Sequence, residues 1–265
     1  MGHTSVFHEN SRKDDPFINA NAKFPTLWRH HSDRINTALL RRWLPASHTD
    51  LLLKTDLFDE AISEGLHSIL TLHARRLIGI DLSLSVISEA RLRYPHLQAI
   101  EADVRCLPFP DAKFDVIVSN STLDHFELLD ELVVSLHELY RILRPGGQLI
   151  LTLDNLANPL IFLRNKLPFY LLHHLGIVPY FVGVTLGPYR LRHLLKGVGF
   201  DIIEADAILH CPRVLAVAVA RCLEKHASPK TQKVFLRFLT VFEHCSCLPM
   251  RFFTGHFVAI RAIKR

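Results

Sequence analysis

Four polar segments follow short apolar runs in the first half of the chain, and each could present side chains to a ligand. They are residues 54–60, Asp81, Asp103 and residues 119–121. The apolar runs have the length of buried strands and alternate with helical patterns, so they predict a parallel sheet. The carboxyl ends of such strands meet at one edge, where doubly wound sheets bind their ligands. We therefore expect the four segments to lie along one site.

Asp81 is a strong candidate because of its position at the end of the second predicted strand. A carboxylate there can accept hydrogen bonds from both hydroxyls of a ribose. The alternative is a capping role at the start of the helix that follows from Ser83. The order of the neighbouring motifs favours the ribose role.

The elements that must position these residues are predicted from the hydrophobic pattern. Strands are expected at residues 51–55, 77–80, 97–100, 114–118, 148–153, 201–208 and 254–263. Helices are expected at residues 24–44, 60–74, 83–93, 127–143 and 189–198. This alternation predicts an α/β fold, a Rossmann-like, doubly wound, mostly parallel seven-stranded sheet with helices on both faces. Residues 1–46 are expected to form an N-terminal arm and helix, and residues 47–265 one domain with an apolar insertion at about residues 156–190.

Composition excludes several other classes of protein. The 265 residues carry a net charge of +5, but the basic residues are scattered, so no nucleic-acid partner is expected. The five cysteines have unmatched spacings, and Cys245 and Cys247 are too close for the usual zinc pair. Free thiols in a reducing cytoplasm are expected instead, with no metal. The start of the chain has no apolar signal segment, and no apolar stretch reaches 18 residues, which also favours a cytoplasmic location.

Four segments together resemble the class I S-adenosylmethionine-dependent methyltransferases. Residues 77–83 (LIGIDLS) resemble the second-strand motif of this family, and residues 119–126 (SNSTLDHF) follow where the family has its fourth-strand loop. Residues 103–115 are similar to the signature D-x-x-x-L-P-F-x-D-x-x-F-D, and residues 138–147 to E-x-x-R-x-L-K-P-G-G. The resemblance covers residues 50–155 and is nearest to the small-molecule and lipid-quinone methyltransferases.

The resemblance implies a role for several residues and S-adenosylmethionine as the cofactor. Asp81 would bind the ribose hydroxyls, and Leu82 would pack on the adenine. Asp103 would accept a hydrogen bond from the adenine amino group, and Val104 would donate its backbone N–H to the ring. Residues 119 and 120, a serine and an asparagine, would line the methionine side. The residues alone also allow simpler roles, a turn cap for Asp103 and loop solvation for Ser119 and Asn120.

The first loop departs from the family. A glycine-rich D-x-G-x-G-x-G is expected after strand one, but residues 54–60 contain no glycine, and either Lys54 or Asp56 occupies the acidic position. Asp56, Asp59 and Glu60 are candidates to hold the ammonium group of the cofactor, since acids suit its positive charges. The alternative is a closed loop in which Leu57 and Phe58 fill the space that the methionine needs.

Two further features bear on the substrate. His125, after strand four, is the candidate catalytic residue, because a neutral histidine there could take a proton from a hydroxyl. The alternative is an exposed histidine beside Asp124 without a catalytic role. The aromatic and leucine side chains of the insertion predict a lid over an apolar substrate, core packing, or peripheral contact with a membrane. These side chains are Phe162, Leu167, Phe169, Tyr170, Tyr180 and Phe181.

The resemblance thus implies a methyltransferase that acts on a hydrophobic small molecule or lipid-linked precursor, by O- or C-methylation. One alternative is a catalytically inactive methyltransferase-fold protein that serves as a binding or scaffold subunit. Another is an NAD-dependent enzyme, against which the absence of G-x-G-x-x-G argues. The residues do not indicate an oligomeric state.

Overall fold

The computed structural model describes residues 24–174 and 182–265, and its centre is one sheet. The strands are β1 (Thr49–Lys54), β2 (Ala74–Asp81), β3 (Gln98–Glu101), β4 (Phe114–Asn120), β5 (Leu143–Asp154), β6 (Phe200–Ile208) and β7 (Phe257–Lys264). They lie in the order β3-β2-β1-β4-β5-β7-β6. The pairs from β3 to β5 are parallel, whereas β7 runs antiparallel to both β5 and β6. The predicted seven-stranded, mostly parallel sheet is confirmed, and its order reverses between β1 and β4.

Helices cover both faces of this sheet. They are α1 (Thr26–Trp43), α2 (Phe58–Ile62), α3 (His67–Thr71), α4 (Leu84–Arg93), α5 (Leu129–Ile142), α6 (Pro159–Lys166), α7 (Phe169–His174), α8 (Pro188–Val198), α9 (Arg213–His226), α10 (Pro229–Val241) and α11 (Arg251–Thr254). Short 3-10 turns span Leu123–His125 and Phe242–Cys247. Among the described residues, no helix has both the length and the apolar character needed to cross a bilayer.

Alternation along the strands divides the apolar core into two layers. Leu52 of β1 belongs to the same layer as Trp43 of α1, whereas its neighbours Leu51 and Leu53 belong to the layer that contains Leu136 of α5. Side chains of successive strand residues point to opposite faces, so a sheet covered on both sides needs apolar residues at every position. This explains why β1 reads as a continuous run of leucines.

Two of the sequence motifs hold each other in the fold. The guanidinium of Arg141 on α5 donates to the carbonyl oxygens of Phe109 (2.7 Å) and Leu107 (3.1 Å). It also pairs with the carboxylates of Glu138 and Asp111, each at 2.8 Å. Both motifs are therefore explained by one clamp, which fixes the loop after β3 against α5.

The helix predicted at residues 60–74 is wrong in part. The structure breaks it into α2 and α3, with Gly65 between them at a φ of 54°, and β2 already begins at Ala74. The cause is Glu60, whose Oε1 accepts a hydrogen bond from the backbone N–H of Leu66 at 2.8 Å. A Cβ on Gly65 would lie 2.7 Å from the same oxygen, so the turn packs directly on the glutamate.

The second half of the chain adds features that the hydrophobic pattern does not predict. No helix or strand was expected between residues 209 and 253, where α9, α10 and most of α11 lie. The helices α9 and α10 pack against α1, through Ala216, Ala220 and Leu239. The described part of the insertion forms α6, α7 and the start of α8, whereas residues 175–181, with Tyr180 and Phe181, lie outside the described residues.

The turn at Gly65 yields a first prediction. We expect Gly65→Ala to lower the free energy of unfolding by about 1–2 kcal/mol or more, because an L-residue is strained at this positive φ and its Cβ meets Glu60. Urea unfolding followed by circular dichroism measures the change.

Gly197 in α8 provides the matched control. A Cβ at Gly197 would meet nothing within 4 Å, so Gly197→Ala should leave stability unchanged or raise it by up to about 1 kcal/mol. If Gly65→Ala proves as stable as the natural protein, the account of this turn is wrong.

Candidate functional site

A buried ion pair stands at the end of β1. The side chain of Lys54 is 1% exposed, and its Nζ lies 2.7 Å from Oε2 of Glu60, itself buried. The same ammonium donates to the backbone carbonyl of Asp56. Burial alone would lower the pKa of Lys54, but the charges of Glu60, Asp56 and Asp59 outweigh it, so the pKa is raised and the ammonium stays charged.

The glycine-free loop is held by side chains. The N–H of Leu57 donates to Asp81 Oδ2 at 3.0 Å, and the N–H of Phe58 donates to Asp56 Oδ1 at 3.0 Å. The side chain of Leu57 is buried against Gly79, where a Cβ would lie 2.4 Å from its Cδ2. The expectation that Leu57 would crowd the site is therefore wrong, because this side chain enters the core beneath the loop.

A cavity of about 120 Å³ lies between α1, this loop and the end of β4. Four of the predicted site residues line it, namely Asp56, Asp59, Asn120 and His125. Phe58 lines it as well, together with residues of α1 and of the C-terminal part of the chain. Because the sheet order reverses between β1 and β4, the cavity occupies the place where doubly wound folds bind ligands.

Carboxylates give the cavity its electrostatic character. Burial, reinforced by the charges of Asp59 and Glu60, raises the pKa of Asp33 to about 7. Burial also raises the pKa of Asp56 and of Asp59, despite the opposing charge of Lys54. A bound cation would stabilise the ionised forms of these groups, so the cavity is suited to a positively charged ligand.

Sequence reasoning missed the contribution of α1. Its residues Trp28, Arg29, Asp33 and Asn36 line the cavity. Asn36 is 5% exposed, and among the described residues its Oδ1 has no hydrogen-bond partner. The sequence does show these polar residues close together on the predicted helix. Nothing in the hydrophobic pattern indicates, however, that this helix covers the sheet edge.

Arg213 and Phe257 complete the cavity from the C-terminal side. Arg213 Nη1 lies 3.0 Å from Nε2 of His256, whose ring lies 3.4 Å from Asp154 at the end of β5. Burial lowers the pKa of His256 to about 3, so this histidine is neutral at physiological pH. The cavity therefore has two guanidinium groups, those of Arg29 and Arg213, beside its three carboxylates.

The polar residues at the end of β4 differ in whether they reach the cavity. Ser119 is fully buried and accepts a hydrogen bond from the hydroxyl of Thr55 at 3.0 Å, so it does not reach the cavity. Asn120 Oδ1 accepts from the Thr152 hydroxyl at 2.9 Å. The next residue, Ser121, has a φ of 52°, an unusual value for a serine, and also lines the cavity.

The remaining predicted residues lie outside the cavity lining. Glu60 belongs to the ion pair, and Leu82 is 61% exposed. Asp81 accepts from the N–H groups of Leu57 and Ser83, whereas the helix cap is the Ser83 side chain, which accepts from the N–H of Val86. The alternative of Asp81 as the cap of α4 is therefore wrong.

Asp103 and Val104 follow β3 at the same edge. Arg105 Nη2 pairs with Asp103 Oδ2 at 2.6 Å, which lowers the pKa of this carboxyl, and Val104 is buried. The strands β3, β2, β1 and β4 are neighbours in the sheet in that order. The residues at their ends therefore lie in the same order along the edge, namely Asp103, Asp81, the first loop and Asn120. Their roles toward a cofactor stay predictions.

The described insertion residues differ from the expected lid. None of them lines the cavity, which is covered by α1 instead. Phe162, Leu167, Phe169 and Tyr170 are exposed, so they are not core residues either. Contact of this segment with a membrane stays a prediction.

Comparison with known proteins finds a methyltransferase domain in part of the chain. Residues 43–151 match the family model described as "Methyltransferase domain". A "Probable S-adenosylmethionine-dependent methyltransferase" of Mycolicibacterium smegmatis is 28% identical over 137 residues, 52% of this chain and 48% of that protein. The malonyl-[acyl-carrier protein] O-methyltransferase of Enterobacter lignolyticus is 37% identical over 73 residues, 28% of each chain. The chain thus spans less than half the length of these curated relatives.

The fold agrees with this family. The crystal structure of an S-adenosylmethionine-dependent methyltransferase from Mesorhizobium loti superposes with a TM-score of 0.56 at 16% identity, covering 86% of this chain and 96% of that one. The match over residues 43–151 and this fold agree with the class I S-adenosylmethionine-dependent methyltransferase superfamily that the motifs resemble. The cofactor of this superfamily is the predicted one, S-adenosylmethionine.

The pKa of Asp33 yields a prediction for pH dependence. A carboxyl whose pKa is raised to about 7 on folding stabilises the fold below its ordinary pKa of 3.8, and this stability is lost as the pH rises through 7. We expect Asp33→Asn to raise the free energy of unfolding at pH 8, relative to the natural protein, by about 1–3 kcal/mol.

The difference should shrink as the pH falls to 5, where the native Asp33 is protonated. Urea unfolding of both proteins at pH 5 and pH 8 measures it, with Asp50→Asn as the control on an exposed carboxylate of β1. A variant that is equally destabilised at both pH values would contradict the raised pKa.

Proposed function

We propose that the protein transfers a methyl group from S-adenosylmethionine to a hydrophobic small molecule or lipid-linked precursor, by O- or C-methylation. The observation that carries this proposal is the acid-lined cavity between β1 and β4, next to the carboxylate of Asp81. The cysteines are all free, which supports work in a reducing cytoplasm.

The cavity suits the methionine end of the cofactor. Asp56 and Asp59 would pair with its ammonium, and their negative charge would also stabilise a nearby sulfonium. The guanidinium of Arg29 or Arg213 would bind the carboxylate. Asn36 Oδ1, which has no hydrogen-bond partner among the described residues, would accept a further hydrogen bond from the ammonium. Side chains would thus replace the backbone contacts that a glycine-rich loop offers.

The nucleoside would extend along the sheet edge from the cavity. Asp81 would accept hydrogen bonds from the ribose hydroxyls with lone pairs that its two backbone donors leave. Leu82, exposed beside it, would cover one face of the adenine. Asp103 and the backbone of Val104 would bind the adenine edge, with Arg105 holding the carboxylate in place.

The wall of the cavity suits an apolar acceptor. Phe24, Trp28, Phe58 and Phe257 surround the polar groups. The cofactor supplies an activated methyl group, so the protein contributes position and the exclusion of water. If the acceptor is a hydroxyl, His125 would take the proton from its oxygen, and the bound cofactor would supply the methyl group.

One observation favours the alternative of a binding or scaffold protein without transfer activity. Phe58 stands in the cavity wall where the family has a glycine-rich loop. If the Phe58 side chain cannot change its rotamer, it would exclude the methionine end of the cofactor. The residues at the sheet edge could then bind a nucleoside without any methyl transfer.

Cofactor titration separates these two functions. By isothermal calorimetry we expect S-adenosylhomocysteine to bind the natural protein, and Asp81→Ala to weaken it at least tenfold, since each hydrogen bond to a charged group contributes about 1.5–3 kcal/mol. Asp56→Asn or Asp59→Asn should lower the affinity for S-adenosylhomocysteine at least fivefold and leave the affinity for adenosine almost unchanged. Asp50→Asn, on an exposed residue of β1, is the control that should bind as the natural protein does.

The opposite outcome is equally clear. No heat from S-adenosylmethionine or S-adenosylhomocysteine at millimolar concentration would decide for the scaffold and against methyl transfer. If the cofactor binds and Asp81→Ala leaves its affinity unchanged, the cofactor assignment is supported but the ribose role of Asp81 is wrong.

A further inference from the structure

The insertion after β5 presents an unusual surface. Its helices α6 and α7 and the turn between them expose seven large apolar side chains, which we call the insertion face. They are Leu160, Phe162, Leu163, Leu167, Phe169, Tyr170 and Leu171. The exposure is large for such residues, 61% for Leu160 and 81% for Tyr170. So many exposed apolar side chains within residues 160–171 are typical of an interaction site rather than of ordinary solvent contact.

The helices that carry this face are anchored to the domain. Ile161 and Leu172 point inward and are buried. The Asn158 side chain donates to the carbonyl oxygens of Thr254 (3.0 Å) and Gly255 (3.1 Å), which ties the start of α6 to α11. Arg164 pairs with the buried Asp154 at 2.6 Å. The inward-facing residues of α6 and α7 thus have packing and hydrogen-bond partners in the domain. The exposed side chains are therefore not part of an incompletely packed core.

Neighbouring residues extend the face. Met250 and Phe253, at the start of α11 and within it, are 56% and 60% exposed beside the anchored end of α6. On the other flank, the side chain of Asn165 donates to the hydroxyl of Thr185, which brings the start of α8 next to α6. The exposed Tyr189 therefore lies at the same margin.

Charge distinguishes this region from the rest of the surface. Residues 155–200 include no aspartate or glutamate, although acids make up 26 of the 265 residues of the chain. The same stretch has five basic residues, of which Lys166, Arg190, Arg192 and Lys196 are exposed. Exposed leucines and aromatics combined with lysine and arginine are the composition that binds the interface of an anionic bilayer.

We propose that the insertion face docks on the surface of an anionic lipid membrane, with the apolar side chains in the headgroup region and the basic residues against lipid phosphates. A second copy of this chain fits the face less well, because a twofold contact would set its basic residues against one another without an acid to pair with. The lipid surface supplies the negative charge that the face lacks.

Docking would place the cavity near the membrane. Arg164 of α6 and His256 share the carboxylate of Asp154, and His256 lies 3.0 Å from Arg213 of the cavity wall. The helix α6 and the cavity wall are therefore linked through one carboxylate, at the end of β5. An apolar acceptor could pass from the bilayer, but the docking itself does not depend on methyl transfer.

Co-sedimentation with lipid vesicles tests this proposal. The full chain should pellet with phosphatidylcholine vesicles that contain phosphatidylglycerol, bind pure phosphatidylcholine at least tenfold more weakly, and be released in part by added salt. Leu163→Ser combined with Tyr170→Ser should weaken binding at least tenfold, because two exposed apolar anchors are lost. Lys166→Glu should weaken binding only to the anionic vesicles.

A matched control uses equally exposed leucines elsewhere. Leu72 and Leu92 are each 66% exposed, after α3 and on α4, so Leu72→Ser with Leu92→Ser should bind as the natural protein does. All substitutions are on the surface, and circular dichroism confirms that each variant folds. Absence of binding to anionic vesicles, or equal loss in the control, would overturn the proposal. So would a dimer in sedimentation equilibrium that Leu163→Ser and Tyr170→Ser dissociate, since the face would then bind a second copy.

Discussion

The ion pair between Lys54 and Glu60 is the constraint on which the rest of the site depends. Two oppositely charged groups are enclosed at the end of β1, 2.7 Å apart, and each has a second task. Lys54 also binds the carbonyl of Asp56, and Glu60 also accepts from the N–H of Leu66. The pair therefore fixes both ends of the segment that replaces the glycine-rich loop of the family. A buried charge pair of this kind contributes little net stability by itself, but removing one partner is costly.

The position of the loop determines the cavity. Because Leu57 is drawn into the core against Gly79, the backbone passes under the cavity and leaves Asp56 and Asp59 on its wall. Together with Asp33 of α1 they form a group of acids whose pKa values are raised by burial. A positively charged ligand would stabilise the ionised forms of these acids, which burial disfavours, so the cavity is suited to such a ligand.

The sequence predicts the sheet and its motifs well, since these depend on local patterns. Continuous apolar runs marked the strands, and residues 138–147 were recognised as a motif, although the clamp that Arg141 forms on the loop after β3 appears only in the structure. Three features depend on contacts between distant residues and could not be predicted. Glu60 looked like a ligand but is a partner of Lys54, and it ends a helix that periodicity alone would continue.

The other two features concern packing. The helix α1 was predicted, but which of its faces covers the sheet edge follows from its packing on α9 and α10, for which the pattern gave no signal. In the insertion, the aromatic residues suggested a lid, whereas Phe162 and Tyr170 face away from the domain. Composition identified an unusual segment correctly, but composition carries no information about the direction in which the segment points.

The central claim is that a buried ion pair, in place of glycines, holds the first loop. The free energy of unfolding of Glu60→Gln, measured in urea beside the exposed control Glu64→Gln, tests it most directly. The account predicts a loss of about 3–5 kcal/mol for Glu60→Gln, because the ammonium of Lys54 would stay buried without its partner. Glu64→Gln should change stability by less than about 0.5 kcal/mol. Equal and small effects of both substitutions would show that the loop is held by other contacts and would contradict the account.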